Sequence, residues 1–270
     1  NINEKFFFAF DAGIPFLSYT AINEFGERDA ADSIVYFSDY TFKQQYRSSG
    51  VGFNLKLGLI VRPVAWYRGG LAFHSPTWFR VDENYYASII EHYNSQEYST
   101  DATFAPFRYK LNQPMKGVVS NSFYFKQYGF VSVDYEFQNF GAIKHNFSGY
   151  DAMNTSINTV VKNKYGFAHT VRVGAEGAVR WFRVRAGYAW QSTPFKTGVG
   201  AIGYNEQRHI IGAGLGYRGK KFFADLGYQL LQYNTYSQPY QSGDGHEPSV
   251  KTVNRLHQVL LTLGWRFTKS

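Results

Sequence analysis

Between Ser49 and Arg62 the chain alternates strictly. Val51, Phe53, Leu55, Leu57, Leu59 and Val61 take every second position, and Gly52, Asn54, Lys56, Gly58, Ile60 and Arg62 lie between them. A period of two puts the two sets on opposite faces of a β-strand. On a helix, Leu55 and Leu57 would stand about 200° apart, so no single apolar stripe would form. The same pattern recurs at Tyr67–His74, Val131–Gln138, Phe182–Gln191, Ile211–Arg218, Phe222–Leu231 and Gln258–Phe267. Ten strands are predicted, over roughly 4–13, 49–62, 66–74, 107–125, 129–140, 165–178, 181–192, 206–218, 221–233 and 253–267. Gln113-Pro114 interrupts the fourth, where proline removes a ladder donor.

Many of these strands reach the roughly 9–11 residues needed to cross a bilayer at a tilt, where soluble strands average about 5–6. Their connections alternate in length. Short turns are expected at 63–65, 126–128, 179–180 and 219–220, and long links at 14–48, 75–106, 141–164, 193–205 and 234–252. Short periplasmic turns and long extracellular loops are the signature of an outer-membrane barrel. On this reading the first strand runs outward and the last ends in the periplasm. The expected fold is all-β, an antiparallel transmembrane β-barrel occupying 1–270 as one domain.

Composition supports that picture. Among 270 residues there are 25 Phe, 22 Tyr and 5 Trp, and amphipathic rings favour the two membrane interfaces. Mean hydropathy is polar, as expected when only alternate residues face lipid. Cysteine is absent, which removes disulfides, thiolate metal sites and cysteine nucleophiles. The net charge of +8 comes from basic residues spread singly among aromatics and glycines. Nucleic-acid binding is therefore not expected, and contacts to outer-membrane lipid are.

The phrases "SGVGFNLKLGLIVRPVAWYRGGLAFHSPTWF" (49–79), "YGFVSVDYEFQNF" (128–140), "HTVRVGAEGAVRWFRVRAGYAWQSTPF" (169–195) and "GAGLGYRGKKFFADLGY" (212–228) resemble the FadL-type outer-membrane transporters, more narrowly the branch found in Bacteroidetes. The final strand, Val259 to Phe267, closes on an aromatic as many outer-membrane proteins do, although Thr268-Lys269-Ser270 follow it. The resemblance implies a fourteen-stranded barrel plugged by an N-terminal hatch, which takes up long-chain fatty acids or other hydrophobic compounds. It also implies that the ten strands here are the last ten, and that the hatch and first strands precede Asn1. Some family members serve protein secretion, which makes a docking subunit of an outer-membrane complex the rival function.

Candidate chemistry is sparse. Seven His are scattered over strands and loops, and no metal site or cofactor is expected. No Gly-x-Ser-x-Gly elbow is present, and the glycines from Gly212 to Gly219 lack the setting of a nucleotide loop, so no enzyme is expected. Arg183 and Arg185 share the inward face of one strand, and Arg172 and Glu176 that of its neighbour, with Lys56, Arg62, Asp134, Glu136, Asp225 and Arg266 on other inward faces. The favoured reading is a network of ion pairs across the lumen. The alternative is a charged lumen that receives a carboxylate headgroup. Trp78, Phe79, Tyr85 and Tyr86 fall in the second long link, where a short helix within Thr77–Glu97 would suit a capture loop for a lipid-like substrate. Self-packing of that loop and an aromatic girdle explain the same residues equally well.

Overall fold

The computed structural model describes residues 5–93, 95–197, 206–237 and 250–266. It is one antiparallel sheet of fifteen strands with a single α-helix among the described residues. Strands β1 (Phe6–Gly13) and β2 (Phe16–Arg28) run end to end along one edge of β3 (Phe37–Val64). Strands β4 (Tyr67–His74) and β5 (Thr77–Tyr93) run end to end along its other edge, and β6 (Gln96–Thr103) folds back on β5. Strand β7 (Phe107–Gln113) pairs with β5 and β8 (Lys116–Tyr124) with β4. Next come β9 (Gly129–Asn139) on β8 and β10 (Lys144–Asn146) on β7. The wall continues through β11 (Phe167–Val179), β12 (Phe182–Gln191), β13 (Arg208–Arg218), β14 (Phe222–Ser237) and β15 (Val250–Trp265). The described sheet is not closed: no described strand pairs with the free edges of β1 and β15.

The sheet has ten columns, and each contains one of the ten predicted strands. Four columns are broken at one common level: at Ile14-Pro15, Ser75-Pro76, Pro114-Met115, and the 3-10 turn Phe140–Ala142 between β9 and β10. At the first three, proline cannot donate to the ladder, so regular pairing stops there. Side chains and carbonyls repair the gap. Ser75 Oγ accepts from Leu55 N at 2.9 Å, and Gly52 N donates to Pro15 O at 2.8 Å. Ser192, just before Thr193-Pro194, repeats the device by accepting from His169 N at 2.9 Å.

Below this belt the strands are of membrane-crossing length and end in tight turns. One of these turns uses Gly129 at φ +145°, where a Cβ would meet Glu176 O at 1.9 Å. The burial pattern is inverted relative to a soluble protein. Phe10 is 68% exposed and Val259 72%, and both belong to the outward apolar face. A continuous apolar exterior of this kind is the lipid-facing surface of a transmembrane barrel.

At the short-turn rim Trp66 stacks on Phe123 with centroids 6.3 Å apart. Toward the other rim a Tyr–His pair occurs three times on the outward face. Tyr135 meets His169 at 2.7 Å, Tyr188 meets His209 at 2.7 Å and Tyr228 meets His257 at 2.8 Å, each a hydroxyl against Nδ1. Each pair satisfies two polar tips against each other where the rings border lipid.

Above the belt the structure departs from expectation. The link 14–48 is β2 and the upper part of β3, and the link 75–106 is β5 and β6. The helix expected within Thr77–Glu97 is strand. These segments are polar or aromatic on both faces, so they carry no apolar alternation. They are strands because they continue the hydrogen-bond register of the wall below, from Gly52↔Phe79 up to Phe37↔Tyr93. The predicted strand 107–125 is two strands, β7 and β8. The link 141–164 contains β10 and the helix α1 (Asp151–Lys164). The links 193–205 and 234–252 fall partly outside the described residues.

Candidate functional site

The lumenal face carries two sets of side chains, a charged one below the belt and an aromatic one above it. Below, Arg185 on β12 donates from Nε to Glu176 at 2.6 Å and from Nη1 to Asp225 at 2.7 Å. Asp225 stands on β14, so the guanidinium spans the whole width of β13. Glycine makes that possible: a Cβ on Gly216 would meet Asp225 Oδ1 at 2.5 Å and Arg183 Cβ at 3.3 Å. Arg183 Nε lies 3.6 Å from Glu176, and Arg218 Nη1 2.7 Å from Asp225.

Arg172 is not part of this cluster. Its Nη1 donates to Glu136 at 3.1 Å, and Lys116 approaches the same carboxylate at 3.7 Å. A third pair, Lys56–Asp11 at 3.2 Å, sits near the wall's edge. Of the four sequence-predicted residues, the structure thus brings Glu176, Arg183 and Arg185 together and leaves Arg172 apart. In the two main clusters five cations (Arg172, Arg183, Arg185, Arg218, Lys116) face three carboxylates (Glu136, Glu176, Asp225). Partly solvated pairs like these contribute about 0–1 kcal/mol each. Arg62 and Arg266 lie over the Phe7 and Phe223 rings instead.

Above the belt, β3, β5, β7 and β10 align an aromatic shelf on the same face. Val81 is 1% exposed, and Phe79 and Phe147 6%. Phe147 packs on Tyr109 at 5.0 Å and on Phe107 at 5.1 Å between centroids. Phe79 lies over Gly52, where a Cβ would meet its ring at 2.7 Å. Tyr85 packs on Tyr46 at 4.6 Å and on Phe104 at 5.0 Å. Glu83 is the one acid among these rings and accepts from Ser48 Oγ at 3.1 Å and Tyr109 OH at 3.2 Å. Burial, with Glu83 adding to it, pushes the Tyr109 phenol up to about 12. Burial also holds the His145 imidazole below its ordinary value, against a smaller opposite pull from Glu83.

The four predicted capture residues stand on β5, not in a loop, and alternation divides them. Phe79 and Tyr85 join the lumenal shelf. Trp78 faces outward against Phe53 with centroids 6.5 Å apart, and Tyr86, also outward, donates to Asp101 at 2.9 Å. Phe107 and Tyr109 alternate with Arg108 and Lys110 within the predicted strand 107–125, but nothing in the sequence joined them to β5; Phe147 follows the three-residue β10, too short to show periodicity. Among the described residues no three His, Asp or Glu converge as metal ligands.

The wall can be matched to known structures. The crystal structure of a FadL homologue from Pseudomonas aeruginosa superposes with a TM-score of 0.55, over 96% of this chain and 74% of that one, at 13% identity. In fold the chain is similar to the wall of that FadL-type β-barrel. No family model matches the sequence, and no curated protein matches it. The likeness is one of backbone architecture: antiparallel columns, a lipid-facing exterior and a lumenal interior. Among the described residues no helix is long and apolar enough to cross a membrane, and this wall crosses with strands.

Proposed function

We propose that this chain lines a passive route for hydrophobic small molecules across the bacterial outer membrane, with long-chain fatty acids as the type case. The observation that carries the proposal is a lumenal aromatic shelf (Phe79, Val81, Tyr85, Phe107, Tyr109, Phe147) above the belt, on the same face of the wall as clusters below the belt, farther along the sheet, whose ion pairs engage more cations than carboxylates. An amphipathic acid needs both: apolar side chains for its tail, and an Arg such as Arg172, Arg183 or Arg185, beside Glu176, for its carboxylate. Phe79 and Tyr85 are the capture residues on this reading, with Trp78 and Tyr86 marking the outward rim. The route is passive and uses no catalytic residue or cofactor. The FadL-type fold supports it, and the strand phrases resembling the Bacteroidetes branch point the same way. Uptake of a labelled long-chain fatty acid by a deletion strain and by its complemented counterpart tests it. Complementation is expected to restore uptake. Equal uptake in both strains, with no lipid in the purified barrel, would sink the idea.

A docking role within an outer-membrane protein complex has one observation in its favour. The tip of the β2–β3 hairpin presents Ile34, Val35 and Tyr36, the middle one 73% exposed. Extraction in mild detergent separates the two: a stoichiometric protein partner supports docking, and a lone barrel with bound fatty acid supports transport.

A further inference from the structure

On the outward face just above the belt, β5, β7 and β10 bring basic side chains together. Arg80 and Lys110 are directly opposed across the β5–β7 ladder. Lys144 lies one diagonal step from Lys110, since Lys110 opposes Asn146 and Lys144 opposes Asn112. All three are exposed, and none has an ion-pair partner among the described residues. Their neighbour Arg108 is neutralised by Asp82 at 2.5 Å. Like charges placed directly opposite in a sheet repel, with side chains about 5 Å apart, so the Arg80–Lys110 pair is unfavourable unless an anion lies between them. The surface here is concave, with a cavity of about 390 Å³ lined by Arg80, Lys110, Asn146 and the Asp82–Arg108 pair, and Lys144 beside it.

What lies beneath this cluster identifies the anion. One step down the same face is the Phe53–Trp78 stack. Below the belt is an apolar groove of about 630 Å³ between Phe8, Phe10, Leu57, Phe73, Val119 and Phe137. Gly117 keeps its floor open, since a Cβ there would meet the Phe137 ring at 2.4 Å. In order from outside to inside, the surface offers three free cations, an aromatic ledge and an acyl-sized groove.

We infer that this face binds one phosphorylated glycolipid of the outer leaflet, with phosphate between Arg80, Lys110 and Lys144 and an acyl chain in the groove. The inference rests on the outer-membrane reading and is independent of what passes through the lumen. Basic residues at an anionic lipid surface each add about 1 kcal/mol, and phosphate takes charge-assisted hydrogen bonds from all three.

The test uses the full chain, extracted from outer membranes in mild detergent and checked for heat-modifiable migration as a folded barrel. Binding of diphosphorylated lipid A is compared with its enzymatically dephosphorylated form. The variant R80Q/K110Q/K144Q is compared with R28Q/K43Q/R47Q, which removes three charges farther up the same face, and with Lys110→Gln alone. The triple variant is expected to bind roughly a hundredfold more weakly, and Lys110→Gln roughly fivefold more weakly. The distal variant should bind as the parent does, and dephosphorylation should weaken the parent as much as the triple variant does. Millimolar inorganic phosphate should not compete, because it has no acyl chain for the groove; full competition would mean an anion site with no lipid. Equal loss in the distal and proximal variants, or indifference to dephosphorylation, overturns the inference. A parent protein absent from the outer membrane overturns the outer-membrane reading itself and is told apart by fractionation.

Discussion

At the scale of single residues, what matters here is who is small and who is amide-bearing. Gly216 lets Arg185 reach Asp225 across an intervening strand. Gly216→Val should separate that pair and crowd Arg183, lowering stability by about 1–3 kcal/mol. Gly177→Ala, with open space around it, should be nearly neutral, and thermal unfolding of the two variants would check the contrast.

Asn154 and Asn158 stand one turn apart on α1 and act as a surrogate strand for the edge of β10. Each side-chain amide accepts from a backbone N–H and donates to the same residue's carbonyl: Asn158 serves His145 at 2.8 and 2.9 Å, and Asn154 serves Phe147 at 2.7 and 2.9 Å. Replacing either with Ala leaves both backbone groups unpaired at a cost of about 1–3 kcal/mol. Hydrogen exchange should then speed up at the His145 and Phe147 amides and stay unchanged in β13.

His145 also makes the upper layer sensitive to pH. Burial favours its neutral form in the folded state, so its folded value lies below the unfolded one near 6.5. The stability this confers is complete above about pH 6.5 and is lost as pH falls through the folded value. Amide protection in β10, corrected for the intrinsic pH dependence of exchange, should fall as the pH drops below about 6.5, and a His145→Phe variant should abolish that dependence.

At the scale of elements, the belt of breaks divides each of four columns into a membrane-crossing half and an outer half. Serine beside proline, at Ser75-Pro76 and Ser192-Thr193-Pro194, recovers the lost ladder bonds with a hydroxyl, which keeps the wall continuous across the break. The Tyr–His pairs span neighbouring strands near this level. Tyr188→Phe leaves His209 without that bond at the lipid boundary and is expected to cost about 1 kcal/mol. Equivalent changes at Tyr135 and Tyr228 sit on other strand pairs, so the three effects should add. Melting of the single and triple variants in bilayers would detect any departure from additivity.

At the scale of the whole molecule, an apolar exterior, a charged lower lumen and an aromatic upper lumen are three consequences of one alternating sheet. The proposed passage of amphipathic acids uses both lumenal layers in sequence. Replacing Phe79 and Tyr109 together with Ala should lower fatty-acid uptake while the folded barrel still reaches the membrane. An uptake assay beside a heat-modifiability gel would distinguish that outcome from misfolding.

The ten crossings were legible in the amino-acid order, because lipid on one side and lumen on the other force a period of two on every crossing strand. Leu57 beside Lys56, or Tyr188 beside Gly187, states its own face. The inward faces of Glu176, Arg183 and Arg185 were legible for the same reason, but not which charge pairs with which. Above the belt that constraint disappears: water or lumen on both faces permits any residue, and strands β2, β5 and β6, read as links from the sequence, exist because the wall below extends its ladder into them. Which aromatic rings share a face, that Arg172 belongs with Glu136, and that Arg80 opposes Lys110 all depend on cross-strand register. Register is set by pairing between segments far apart in the chain, so only the tertiary structure decides it.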